Sequence, residues 1–296
     1  MRDEASTEPH DRRRKPTWLK VRVPPARAFR ATADLLDSLA LHTVCEEARC
    51  PNKGECFAAG TATFLILGDE CSRACRFCSV RHGAPDGSGD PDEPRRVGEA
   101  ARQLGLRHVV VTSVTRDDLP DGGAAQFAAT VAAVRATAPD ATVEVLVPDL
   151  AGDAAALRVV LEARPDVLNH NLETVPRLYA TVRPQADYGR SLELLRRASL
   201  SAPRPLVKTG LMAGLGETWG EVGAVLRDCA AAGVDLVTVG QYLRPGNGCL
   251  PVARYVPPEE FAALERHGEE LGLRIIAAPF VRSSYRAAEA LRGRPA

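Results

Sequence analysis

The chain has 296 residues, 45% apolar and 26% charged, which is enough to bury a real core as one large α/β domain or two small ones and argues against disorder. Lys plus Arg equals Asp plus Glu at 38 each, so no overall field recruits nucleic acid or an anionic membrane. No run of about 18 apolar residues could span a bilayer and no apolar leader stands near the N-terminus, so the expectation is a soluble, cytoplasmic protein.

In chain order, residues 1–15 read as a flexible tail, because Asp3, Glu4, Glu8 and Asp11 interleave with Arg12, Arg13, Arg14 and Lys15 where an import sequence is poor in acids. Trp18 and Leu19 then offer an apolar contact to the domain or a partner. Six β-rich runs follow: Thr63 to Leu67, Val109 to Val111, Val143 to Val147, Val167 to Asn169, Leu206 to Val207 and Leu236 to Val239. Residues 83–94, rich in Gly, Pro and Asp, read as a loop after the cysteine segment of residues 71–78. Helical faces alternate with the runs. Val97, Ala101 and Leu104 make one, closed by Gly105, and Phe127, Val131 and Val134 make the next, before Pro139. Others fit 157–161, 192–198, 222–229 and 261–271. Strands apolar almost throughout belong to a parallel sheet covered on both faces. Repeated βαβ units, too few for a closed eight-stranded barrel, predict a partial TIM-type barrel with function at the C-terminal strand ends. Just past the runs stand Cys71, Cys75 and Cys78, then Thr112 and Ser113, Asp149, Asn169 with Asn171 and Glu173, Lys208 with Thr209, and Gln241 with Tyr242. Any one of these could equally be a cap or turn residue.

Six of the eight cysteines lie within residues 45–78, as the triads Cys45, Cys50, Cys56 and Cys71, Cys75, Cys78. A disulfide framework does not suit a large intracellular domain. Structural zinc favours two close pairs, and only Cys75 and Cys78 form a Cys-x2-Cys pair. Closely spaced soft thiolates also suit iron–sulfur clusters, the preferred reading, with zinc left open. Three thiolates leave one iron of a four-iron cluster without a protein ligand. That corner serves either as a reaction site or as a place for another residue. Of the remaining cysteines, Cys229 shares the apolar face of Val222, Val225 and Leu226 and reads as a buried hydrophobe, whereas Cys249 reads as an incidental loop thiol, with contact to a cluster left open.

The segment Cys71-Ser72-Arg73-Ala74-Cys75-Arg76-Phe77-Cys78 resembles the Cys-x3-Cys-x2-Cys signature of radical S-adenosylmethionine (SAM) enzymes, including the aromatic residue before the last cysteine. The segment Cys45 to Cys56 resembles the auxiliary-cluster motif of the lipoyl synthase family. The similarity runs through Thr112-Ser113-Val114, Asn169-His170-Asn171-Leu172-Glu173, Val182-Arg183-Pro184 and Gly214-Leu215-Gly216-Glu217-Thr218 to Arg282-Ser283-Ser284-Tyr285, and covers about residues 15–290. One departure stands in Gly246 to Cys249, where the family usually carries basic residues and a histidine. Carrier contacts through this loop are in doubt on that account.

The resemblance implies a (β/α)6 partial barrel of the radical SAM kind over 61–280, with an N-terminal extension over 16–60 and a C-terminal segment over 281–296 that together carry an auxiliary cluster. It implies two 4Fe–4S clusters, one on Cys71, Cys75 and Cys78 with an open iron for SAM, the other on Cys45, Cys50, Cys56 and a serine, Ser284 in preference to Ser283. It points to Ser113, Asn171, Glu173 and Arg183 as SAM contacts. The implied reaction uses 5′-deoxyadenosyl radicals to insert two sulfurs at carbons six and eight of an octanoyl group, the auxiliary cluster supplying the sulfur. The implied partners are an octanoylated lipoyl carrier domain (a glycine cleavage H protein or a 2-oxoacid dehydrogenase E2 subunit), a flavodoxin or ferredoxin type electron donor and a cluster-assembly carrier.

Overall fold

A computed structural model of the chain describes residues 15–20, 24–85, 87, 89–285 and 287. The expected tail lies outside them except for Lys15. Leu19 is buried while Trp18 stays exposed, so the apolar contact foreseen near the N-terminus is made through the leucine.

The strands are β1 (His42–Thr43), β2 (Thr63–Ile66), β3 (Glu70–Cys71), β4 (Arg81–His82), β5 (His108–Ser113), β6 (Thr142–Leu146), β7 (Val167–Asn169), β8 (Leu206–Ala213), β9 (Leu236–Gln241) and β10 (Arg274–Ala278). All but β3 and β4, which pair with each other, form one sheet in the order β1-β2-β5-β6-β7-β8-β9-β10. Only β1 is antiparallel to its neighbour; from β2 to β10 every pairing is parallel. Every residue of β2, β7 and β9 is buried, as expected of parallel strands covered on both faces.

All six predicted runs are strands. Two departures have physical causes. Strand β8 continues to Ala213, so Lys208 and Thr209 lie inside it rather than beyond its end, because each polar side chain has a buried partner. A seventh parallel strand, β10, adds to β9 at the edge of the sheet.

Helices return the chain between strands, and their starts follow local chemistry. The helix Trp219–Ala231 opens with a reciprocal capping box of Thr218 and Glu221. Tyr188–Ser199 opens on Asp187, whose carboxylate accepts from Arg190 N at 2.7 Å. In Glu93–Gln103, Val97 and Ala101 are fully buried, and Gly105 at φ +60° ends the turn that follows. Phe127, Val131 and Val134 of Ala124–Thr137 are likewise fully buried, and so is Cys229. Among the described residues no helix is long and apolar enough to cross a membrane.

Candidate active site at the mouth of the sheet

The loop that leaves β2 carries Cys71, Cys75 and Cys78, and backbone hydrogen bonds pin it at successive points. Thr115 N donates to Cys71 Sγ at 3.3 Å, Ser72 N to Thr115 O at 3.0 Å, and Arg76 N to Val182 O at 2.8 Å. Arg73, almost fully buried, is the central clasp. Its guanidinium grips Asp117 through two bonds of 2.6 and 2.7 Å and reaches Asp149 at 2.7 Å, tying the loop to the segments after β5 and β6.

The other triad is built on two short helices, Val44–Glu47 with Cys45 and Lys53–Ala58 with Cys56, with Cys50 between them. Thr43 caps the first helix and Lys53 pairs with Glu46 at 2.6 Å. Ser79 Oγ donates to Glu47 O at 2.8 Å, so the two cysteine segments are directly joined.

Within each triad the thiols sense one another. Burial, reinforced by like charge on Cys50 and Cys56, pushes Cys45 up to about 12. Burial pushes Cys75 to about 11 and Cys78 to about 12, with Cys71 adding to both. A buried thiol resists ionisation unless a cation compensates it, and an iron core bound by the thiols would supply that compensation. Among the described residues no three His, Cys, Asp or Glu close tightly enough to share one ion. A four-iron core is wider than an ion and takes its thiolates from further apart.

Two cavities meet at the second triad. One, of about 350 Å³, lies at the mouth and is lined by Cys45, Cys50, Cys78, Asn171, Glu173 and Ser284 among others. The second, of about 320 Å³, is lined by Cys45, Cys50, Cys56 and Ser284. Ser283 faces only the first, and its hydroxyl donates to Asn171 Oδ1 at 2.8 Å. Ser284 is therefore the serine that shares a cavity with all three cysteines of this triad. In the first triad, Cys78 faces the central cavity, whereas Cys75 and Cys78 also border a cleft of about 480 Å³ beside Cys249.

Of the four expected SAM contacts, Asn171 and Glu173 line the mouth cavity and Arg183 bonds to the backbone beside them, while Ser113 ends β5 and no described contact joins it to the other three. Asn171 Nδ2 donates to Glu173 Oε1 at 3.0 Å, and Arg183 Nη1 donates to the carbonyls of Asn171 and Leu172 at 2.8 and 3.2 Å. Glu173 sits at φ +66°, a conformation unfavourable for a side-chain-bearing residue, held by its own N–H to Gly210 O at 2.9 Å. Burial pushes the Glu173 carboxyl up, against the pull of Arg183 and Asn171. Ser113 Oγ and Arg183 Nε are both buried without a hydrogen-bond partner among the described residues, one donor and acceptor and one cationic donor left for a ligand.

Several residues that shape the site are not apparent from motif spacing. Arg73, Arg282 and the interior pair Glu144–Lys208 act through partners distant in sequence; a charge inside an otherwise apolar run, as at Glu144, is the available signal. Burial pushes the Arg282 guanidinium down, against the charges of Cys50 and Glu173, and its Nη1 donates to Val281 O at 2.6 Å. Cys249 is less incidental than the sequence suggests: its Sγ donates to Cys78 O at 3.3 Å, and Leu250 N donates to Arg76 O at 2.8 Å, docking this loop on the first triad.

A pinned three-cysteine loop at the mouth of a partial-barrel sheet is the arrangement of radical SAM enzymes. Residues 65–229 match the family model of the radical SAM superfamily, and residues 1–50 match that of the N-terminal domain of lipoyl synthase of the radical SAM family. The fold is shared with the [FeFe]-hydrogenase maturase HydG, at TM-score 0.58 and 18% identity over 76% of this chain and 53% of that one. It is shared too with Streptococcus suis SuiB bound to S-adenosylmethionine, at TM-score 0.55 and 12% identity over 77% of this chain and 54% of that one. This class of enzyme works with SAM and an iron–sulfur cluster. The chain is 56% identical to the lipoyl synthase of Caldanaerobacter subterraneus subsp. tengcongensis over 93% of its own length and 96% of the relative's. It is 54% identical to those of Rubrobacter xylanophilus, over 93% and 86% of the two lengths, and Thermus thermophilus, over 96% and 88%. The chain belongs to the lipoyl synthase family.

Proposed function

We propose that the chain inserts sulfur at carbons six and eight of an octanoyl group borne on a lysine of a lipoyl carrier domain, using two 4Fe–4S clusters. The observation that supports this reading is that Cys45 and Cys50 of one triad and Cys78 of the other line one cavity at the mouth, while Ser284 shares a second cavity with Cys45, Cys50 and Cys56. Cys71, Cys75 and Cys78 would hold the first cluster, and Cys45, Cys50, Cys56 and Ser284 the second. When bound, the clusters supply the electron for SAM cleavage and the sulfur for insertion.

The protein's own contribution is placement. Ser113 and Arg183 would offer their unpartnered buried atoms, and Asn171 and Glu173 their mutually bonded side chains, to the polar ends of SAM. The partial barrel is read as a (β/α)6 unit of β2 and β5 to β9 over 61–280, with 16–60 and 281–296 as the extensions around the second cluster. An oxygen ligand from Ser284 is harder than thiolate and leaves its iron the more easily released. The carrier is a glycine cleavage H protein or a 2-oxoacid dehydrogenase E2 subunit, reduction comes from a flavodoxin or ferredoxin, an assembly carrier supplies the clusters, and the setting is cytoplasmic.

The test is anaerobic. Reconstituted protein should carry about eight irons per chain. With SAM, reductant and an octanoyl-lysine peptide it should add two sulfurs and release two equivalents of 5′-deoxyadenosine. Ser284→Ala should keep nucleoside release and lose the thiolated product; nucleoside without sulfur addition from the unaltered chain would overturn the reading.

A further inference from the structure

Lys208 sits within β8 opposite Asn169 of β7, almost fully buried, in the interior of the sheet. Its ammonium has three protons to donate. Two are met by Glu144 of β6, at 2.9 and 3.1 Å, and Glu144 is itself wholly buried and accepts from Asn169 Nδ2 at 3.0 Å. A buried ion pair of this kind does little for net stability compared with apolar packing, so its third contact is the informative one. That contact is the carbonyl oxygen of Ser283, 2.5 Å away. The carbonyl belongs to the peptide bond joining Ser283 to Ser284.

The surroundings are shaped to admit this turn. Lys208 and Gly210, two residues apart on one strand, present the same face. A Cβ at Gly210 would lie 2.6 Å from Ser283 Oγ and 2.7 Å from Asn171 Oδ1, so glycine leaves the room that the turn occupies. On β9, a Cβ at Gly240 would meet Val281 O at 2.0 Å. Beyond the turn, Tyr285 Oη donates to Glu55 Oε1 at 2.9 Å, which fixes its other end to the helix bearing Cys56. Ser284 is thus bracketed on both sides, and it lines the cavity of the second triad.

We infer that Lys208, held by Glu144, is a positioning residue that fixes the peptide preceding Ser284 and so aims the Ser284 hydroxyl at the second cluster. The inference rests on the reading of Ser284 as that cluster's ligand. It assigns the interior ion pair a purpose: a lysine without Glu144 would be an uncompensated buried charge, and an apolar residue could not hold a carbonyl.

The test compares the full chain with the charge-neutral variant Lys208→Met/Glu144→Gln. In the metal-free proteins, amide hydrogen exchange over residues 281–285 should quicken at least tenfold in the variant, with the strands unchanged. In the reconstituted proteins, 5′-deoxyadenosine release should persist within about twofold while thiolated product falls at least tenfold, the split expected of a role confined to the second cluster. If the double variant does not fold, Lys208→Gln/Glu144→Gln gives the same comparison, removing the ammonium while leaving no buried charge and two amides that can pair with each other. Unchanged exchange over 281–285 in a folded variant overturns the inference by itself. Quickened exchange with full sulfur insertion, while Ser284→Ala is inactive, also overturns it. Normal insertion by Ser284→Ala overturns the ligand reading and the role built on it, whatever Lys208 does.

Discussion

Replacing Arg73 with methionine tests how the first cysteine loop is held. The substitution keeps the length of the stem and removes the guanidinium, and with it three short bonds to Asp117 and Asp149. The two carboxylates differ in weight. The Asp117 side chain is 37% exposed, so its share is that of a surface pair, about 1 kcal/mol at most. Asp149 is fully buried: burial pushes its carboxyl up, and Arg73 then outweighs burial to hold it below the ordinary carboxylate range. Stranding such a charge costs about 3–5 kcal/mol, and the low end applies because Arg190 Nε still lies 2.9 Å from the other oxygen of Asp149. The expected loss is about 3 kcal/mol in denaturant unfolding of the metal-free chain. A cycle with Asp149→Asn should return a coupling of about 1–3 kcal/mol. Iron in the reconstituted variant should fall to about four per chain, lost from the triad that contains Arg73 in its spacing. A shift under about 1 kcal/mol with full iron would refute the clasp.

Acid should weaken the fold in two stages. Burial, then the charge of Arg183, push His170 down from 6.5 to about 4, and its Nδ1 donates to Val147 O at 2.8 Å. Between those values the unfolded chain binds a proton that the folded chain refuses, so stability falls with decreasing pH by up to about 1.4 kcal/mol per unit, and His170→Gln should flatten that slope in unfolding curves from pH 7 to 4. Glu144 acts lower: burial pushes its carboxyl up, Lys208 and His108 overcome this and bring it to about 2, so its contribution is lost as pH falls from 4.5 toward that value. Gly240→Ala must displace Val281, and reconstituted iron should drop to about half with the first cluster retained, as read by iron analysis and electron paramagnetic resonance. Cys249→Ala removes one weak thiol-to-carbonyl bond; iron content should stay unchanged and stability should move by less than about 1 kcal/mol, and loss of iron would make Cys249 a ligand.

The sequence discloses the strands wherever burial on both faces writes a continuous apolar run, as in β2, β5, β7 and β9. It stops short in β8 because Lys208 breaks the run, and only the distant Glu144 explains why a charge is tolerated there. It omits β1, whose two residues are too short for any period, and β10, where Ile275 and Ile276 follow a helix with only Gly272 to mark the break. The cysteine triads are legible because soft ligands crowd within 45–78. The choice between Ser283 and Ser284 has no local signal, since adjacent residues of one type differ only in which way the folded turn points them. Arg73 is equally silent: its partners at 117 and 149 are joined to it by the sheet and not by spacing.

The turn over Val281 to Tyr285 lies across strands β8 and β9 and reaches the helix of Cys56, so the last part of the chain closes a nest begun by the first. During translation residues 45, 50 and 56 emerge early, and the turn over 281–285 that bonds to the helix of Cys56 follows only after every strand of the sheet. On the proposed assignment of Ser284, a ribosome-bound fragment that stops short of this turn offers metal an unfinished nest.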